Sequence, residues 1–177
     1  MIAAAIKPGV CSPLGATVQD GGVNFSVYSR NARPVELLLF DSDDDIKPAR
    51  IITLDPSRQR TYHYWHVFIP GLMPGQVYGF RAAGSFEPEL GLRFDATRVL
   101  LDPYGRAVGV PKAYSRTCAN APAMKSIVTD ISSYNWENDQ PLRRPFVETV
   151  IYELHVRGFT GHPSSEVART RLAFMRG

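Results

Sequence analysis

Three pairs of carboxylates stand close enough along the chain to face one bond: Glu87 with Glu89, Asp95 with Asp102, and Glu137 with Asp139. Glycosidic hydrolysis needs such a pair, one carboxyl to protonate the leaving oxygen and one to attack or to activate water. The separation is about 5–5.5 Å for retention and larger for inversion. Each pair falls in a turn-rich or connecting stretch, where acidic side chains solvate or cap, so no catalytic residue is assigned. A serine or cysteine nucleophile needs a context such as a strand–turn–helix elbow, which neither Cys11 nor Ser164-Ser165 has. Gly21-Gly22 and the glycines at 71 and 75 lack the spacing and following helix of a phosphate loop. His63, His66, His155 and His162 do not have metal-ligand spacing on one helix. The acidic run from Asp41 to Asp45 lacks the alternating oxygen ligands and closing Glu of a calcium loop and reads as a solvated hairpin tip. Neither metal nor cofactor is expected.

Aromatic residues offer binding chemistry instead. In Thr61-Tyr62-His63-Tyr64-Trp65-His66-Val67-Phe68, a period of two puts Tyr62, Tyr64, His66 and Phe68 on one face and His63, Trp65, Val67 and Ile69 on the other. Flat rings with polar tips stack well against the apolar face of a sugar, and a sheet can present them as a platform. The same rings equally suit the core of a sandwich, where aromatics dominate buried area. Tyr62, Tyr64 and Trp65 are therefore candidate carbohydrate-binding residues, with packing as the competing role.

The elements that would position these rings are short strands. Gly and Pro number 14 each in 177 residues, above average usage and suited to many turns. Asp20-Gly21-Gly22 is a turn signal before Val23-Asn24-Phe25-Ser26-Val27-Tyr28, whose alternation marks one buried face. Pro34 opens Val35-Glu36-Leu37-Leu38-Leu39-Phe40, apolar enough to be covered on both faces. Further strands are expected over 50–54, 62–69 and 77–82, with Pro70-Gly71 and Pro74-Gly75 marking turns. Spacings near ten residues predict an antiparallel β-sandwich over residues 1–110, with Phe25, Val27, Leu37, Leu39, Trp65, Val67 and Tyr78 in its core.

Residues 111–146 show no sustained period and read as a connector. The β-branched run Val147-Glu148-Thr149-Val150-Ile151-Tyr152-Glu153-Leu154-His155-Val156 reads as a strand entering a different environment, the start of something larger over 147–177. Lacking neighbours, that strand is expected to dock, to pair with another chain or to fray, and self-association through 147–158 is a candidate partner interaction.

Charge and composition exclude other classes. The formal net charge is +3, with residues 1–140 neutral and the excess arising after 141 from scattered arginines. No stripe tracks phosphates, so nucleic acid is not an expected partner. No apolar run approaches the roughly 18–20 residues that span a bilayer, and the opening MIAAAIKPGV lacks a secretory leader's charged start. Cys11 and Cys118 are far apart, without metal-ligand spacing. A cytoplasmic protein with reduced thiols is expected.

Several ordered blocks carry a family resemblance. Ser12-Pro13-Leu14-Gly15-Ala16-Thr17, Gly22-Val23-Asn24-Phe25-Ser26-Val27-Tyr28-Ser29 and Val35-Glu36-Leu37-Leu38-Leu39-Phe40-Asp41 resemble the opening of bacterial isoamylase-type glycogen debranching enzymes. So do Tyr64-Trp65-His66-Val67, Pro74-Gly75-Gln76-Val77-Tyr78-Gly79-Phe80-Arg81, Arg93-Phe94-Asp95 and Leu100-Leu101-Asp102-Pro103-Tyr104-Gly105. The last block, Val150-Ile151-Tyr152-Glu153-Leu154-His155-Val156-Arg157-Gly158-Phe159-Thr160, resembles the first strand of the (β/α)8 barrel of the α-amylase superfamily. The family usually has Gly-Pro-Tyr at Gly84-Ser85-Phe86, Asn at Asp95 and Gly at Glu166. The resemblance implies an immunoglobulin-like, early-set carbohydrate-binding module, a connector and an incomplete barrel. It implies α-glucan (glycogen or starch-like) as partner, and α-1,6 cleavage as the activity of the parent enzyme. The family's catalytic carboxylates belong to later barrel strands, so this chain is expected to be an inactive fragment. It also implies that His155 and Arg157 rim the parent's cleft. The alternative is a free-standing α-glucan-binding module or a protein-interaction scaffold.

Overall fold

A computed structural model describes residues 5–118, 121–132, 134–162 and 164, with the side chains of 156 and 157 outside that description. Two units are present, residues 1–134 and 135–177.

The first unit is an antiparallel β-sandwich. One sheet has the order β1 (Gly15–Gln19), β2 (Gly22–Tyr28), β6 (Tyr64–Pro70), β5 (Arg60–Thr61). The other runs β10 (Ala107–Gly109), β11 (Lys125–Ile127), β7 (Val77–Ala82), β3 (Val35–Phe40), β4 (Arg50–Thr53). A small hairpin, β8 (Phe86–Glu87) with β9 (Leu92–Arg93), stands apart from both sheets. Alternation decides which side chains meet. On β2 and β6, Phe25 lies opposite Val67 and Val27 opposite Trp65; on β3 and β7, Leu37 lies opposite Phe80 and Leu39 opposite Tyr78. These inward faces form one core, with the Phe25 and Tyr78 rings meeting edge to face between the sheets at 5.0 Å. Each buried Leu, Val or Phe contributes about 1.5–3 kcal/mol, so this layer holds the two sheets together. All seven residues expected in the core are there.

Both outer faces are partly covered. Asn24 and Ser26 face away from the core yet are fully buried, because residues 7–11 cross over them. The Asn24 amide pairs with both backbone groups of Val10 at 2.8 and 2.9 Å, and the Ser26 hydroxyl donates to the Cys11 carbonyl at 2.8 Å. On the other sheet Leu38, Phe40 and Val77 form a second small cluster with Val99 and Ile127.

Two features differ from the sequence expectation. Strand β11 lies in the stretch read as connector and joins β7 to β10. Its Lys125 is buried, with Nζ donating to the Asp43 carbonyl at 2.7 Å and sitting 4.8 Å from the Phe40 ring centroid. Pairing and this one anchored cation define the strand rather than any apolar period. In the second unit, the expected strand over 147–156 is not formed. The chain there has a 3-10 turn at Phe146–Glu148, an irregular stretch, and a short helix α1 (Val156–Gly161). The Val150 side chain is 92% exposed. Preference for strand reflects packing on a pleated, half-buried surface, and without ladder partners a β-branched run gains nothing from extending into one. Among the described residues, the start of a barrel is accordingly not seen.

Candidate functional site

The β5–β6 hairpin turns at Tyr62 and His63. Tyr62 takes the left-handed backbone conformation at φ 58°, which costs a bulky residue on the order of 1 kcal/mol or more. Surrounding hydrogen bonds hold it there. The Arg60 guanidinium donates to the Tyr62 carbonyl and to the Arg30 carbonyl, both at 3.0 Å, and lies 4.8 Å from the Trp65 ring centroid. The Ser29 N–H donates to the His63 carbonyl at 2.9 Å. Arg60 thereby clamps the hairpin to the turn that follows β2.

Trp65 is 1% exposed and part of the core, with its indole N–H donating to the Ser29 carbonyl at 3.1 Å. Its ring packs the sandwich and does not face solvent. Tyr62 and Tyr64 do belong to a surface row, joined by a residue that the sequence reading overlooked. Tyr28 ends β2 directly opposite Tyr64. Their rings meet at 5.4 Å, Tyr28 meets His63 at 6.0 Å, and His63 lies against Tyr62 at 3.8 Å. Tyr62 is 77% exposed and Tyr28 45%. Among the described residues, no hydrogen bond engages the three tyrosine hydroxyls. Such a row offers apolar ring faces and free polar tips, the chemistry that suits stacking against sugars. The signal for Tyr28 was its place on the same face of β2 as Asn24 and Ser26. The covering segment hides those two, and the strand's end projects beyond it.

Beside the row lies a cleft of about 490 Å³ between the 28–31 turn and residues 91–100. Tyr28 belongs to both. An apolar recess of about 360 Å³ adjoins it, lined by Val27, Phe80, Phe94, Leu100, Leu101 and Pro103 among others.

The carboxylate pairs are accounted for otherwise. Asp102 is buried, with Oδ2 accepting from the Tyr78 hydroxyl at 2.7 Å and Oδ1 from the Tyr104 N–H at 2.9 Å. Burial raises its carboxyl above the ordinary range, against those two hydrogen bonds, which lower it. Asp95 closes a local turn on the Thr97 hydroxyl and N–H at 2.6 and 2.9 Å, which hold it below the usual value. Glu87, Glu89, Glu137 and Asp139 are exposed. In the second unit His155 caps α1, its Nδ1 accepting from the Gly158 N–H at 3.0 Å. The Arg157 side chain lies outside the described residues. No cluster of three or more His, Cys, Asp or Glu is placed to hold a metal ion, and no helix is long and apolar enough to cross a membrane, both among the described residues.

Residues 13–105 match carbohydrate-binding module 48, the isoamylase N-terminal domain. The chain belongs to this family. The chain is 42% identical over 174 residues to the chloroplastic isoamylase 1 of Oryza sativa subsp. japonica, covering 93% of this chain and 21% of that protein. It is 42% identical over 169 residues to the glycogen debranching enzyme of Serratia proteamaculans, covering 89% and 25%. A pullulanase mutant from Paenibacillus barengoltzii, complexed with maltotriose, resembles it at TM-score 0.53 and 27% identity. That likeness covers 86% of this chain and 21% of the pullulanase. The chain thus spans about a fifth to a quarter of the relatives it matches.

Proposed function

We propose that the module binds α-glucan, glycogen or starch-like, on the row formed by Tyr28, Tyr62, His63 and Tyr64. In this reading it serves a debranching glycoside hydrolase that cleaves α-1,6-glucosidic links, and the chain itself binds without cleaving. The observation that carries the reading is the exposed aromatic row on a member of a carbohydrate-binding family. Inactivity is supported by the carboxylates: Asp102 is committed to Tyr78 and Asp95 to its own turn. His155 and Arg157 would rim the cleft of the whole enzyme, and a cytoplasmic setting accords with a bacterial debranching relative.

Affinity electrophoresis through gels containing glycogen tests the binding. Retardation of the chain should fall by about three- to tenfold in Tyr64→Ala, the range expected for losing one aromatic contact. Equal mobility with and without glycogen would remove the reading.

A second reading, self-association, rests on the exposed apolar run at 147–154. Such a run is covered when another chain pairs with it.

A further inference from the structure

The cleft beside the aromatic row carries a positive excess. Three guanidiniums line it, from Arg30, Arg93 and Arg98, against one carboxylate, Asp95. Residues 1–140 are neutral as a whole, so a local positive excess in a concavity is a departure from the average. That carboxylate is already engaged, since Oδ1 accepts twice from Thr97 and Oδ2 takes the Arg98 Nε–H at 3.4 Å. Arg30 and Arg93 make no ion pair among the described residues. Clefts with low-dielectric walls focus the field of such charges on whatever enters, and Phe94 and Leu100 supply apolar wall here.

The cleft and the row are tied together. One turn carries Tyr28, which stands in both, and Arg30, whose carbonyl is held by Arg60 from the hairpin bearing Tyr62. A ligand whose sugar rings rest on Tyr64 and Tyr28 therefore runs toward two unpaired guanidiniums. Neutral glucose units give them nothing beyond hydroxyl acceptors. Phosphate monoesters give three charged oxygens, which the planar fork of arginine meets with paired, charge-assisted hydrogen bonds.

We propose that the cleft flanked by Arg30 and Arg93 binds a phosphate monoester carried on the glucose chain that the aromatic row holds. This rests on the glucan reading above and selects among glucans. A covalently phosphorylated glucan is held at two adjoining points, its sugar rings on tyrosines and its ester between arginines.

Calorimetric titration of the chain tests this with three probes: maltoheptaose, maltoheptaose bearing one phosphate monoester, and free glucose phosphate. The phosphorylated oligosaccharide should bind about tenfold tighter than the neutral one, equivalent to about 1.4 kcal/mol. That advantage should vanish at about 1 M salt, where the screening length is about 3 Å. It should also vanish in the double variant Arg30→Ala, Arg93→Ala, which retains the affinity for neutral maltoheptaose and so reports its own folding. Equal affinity for the two oligosaccharides overturns the phosphate site and leaves the glucan reading intact. An advantage that survives in the double variant places the ester elsewhere and overturns it too. Glucose phosphate binding as tightly as the phosphorylated oligosaccharide separates the cleft from the row and contradicts the proposal. Failure of both oligosaccharides to bind removes the glucan reading itself.

Discussion

The hydroxyl of Tyr78, on β7, donates a 2.7 Å hydrogen bond to Oδ2 of Asp102, which is itself only 5% exposed. Asp102 also takes the Tyr104 N–H, while its own N–H donates to the Ser126 hydroxyl at 3.1 Å. Asp102 thus fastens the 100–105 segment to two strands of the five-stranded sheet, to β7 through its carboxylate and to β11 through its backbone N–H. Removing the phenol hydroxyl in Tyr78→Phe leaves Oδ2 without that donor. The expected loss is about 1–3 kcal/mol, read as a lower urea midpoint at neutral pH.

The same carboxylate sets a pH dependence. Burial raises its pKa in the folded protein, so the folded state holds this proton more tightly than the unfolded chain does. The resulting stabilisation is fully present below the unfolded value of about 4 and fades as pH rises through the raised folded value. Asp102→Asn abolishes that component. Thermal midpoints measured from about pH 4 upward should therefore fall less steeply in the variant than in the wild type. Identical slopes would mean that Asp102 titrates normally.

Gly9 sits at φ +78°, and a Cβ there would lie 2.5 Å from the Asn24 amide oxygen and 2.7 Å from the backbone of β6. Gly9→Ala is expected to lift residues 7–11 off the sheet, since neither the backbone conformation nor the space suits a side chain. Hydrogen exchange should quicken at Lys7 and Val10, whose amides donate to Phe68 and Asn24, while the core strands stay protected.

Trp65 and Tyr64 are sequence neighbours with opposite duties, and substitution should separate them. Trp65→Phe leaves a void where a fully buried indole packed, lowering stability by about 1–3 kcal/mol with little change in glucan affinity. Tyr64→Ala should do the reverse. A common loss of both properties in both variants would show that the row has no separate role.

Much of the sandwich was legible because its strands advertise themselves. Val23, Phe25 and Val27 alternate with Asn24 and Ser26, and Leu37 and Leu39 continue the inward face across the second sheet. Where pairing rather than periodicity defines an element, the sequence is silent: β11 has three residues and one of them is a buried lysine. Residues 147–156 fail in the opposite way, with strong local preference and, among the described residues, no neighbouring strand to realise it. At the site, period two put Trp65 and Val67 on the face opposite Tyr64, which is how the strand is arranged. It extended the strand through Tyr62 and His63, where the structure turns. Tyr28 escaped notice because its partner Tyr64 is 36 residues away and only the β2–β6 register brings them together.

The most direct test of glucan binding on this row is a backbone amide chemical-shift titration of the chain with maltoheptaose. The perturbed amides should cluster at 28–31 and 61–64, the turn and the hairpin that carry Tyr28, Tyr62, His63 and Tyr64. Residues 22–26 of the core strand should stay unmoved. Saturable shifts confined to some other surface, or none at millimolar oligosaccharide, would contradict the assignment of the row as the glucan site.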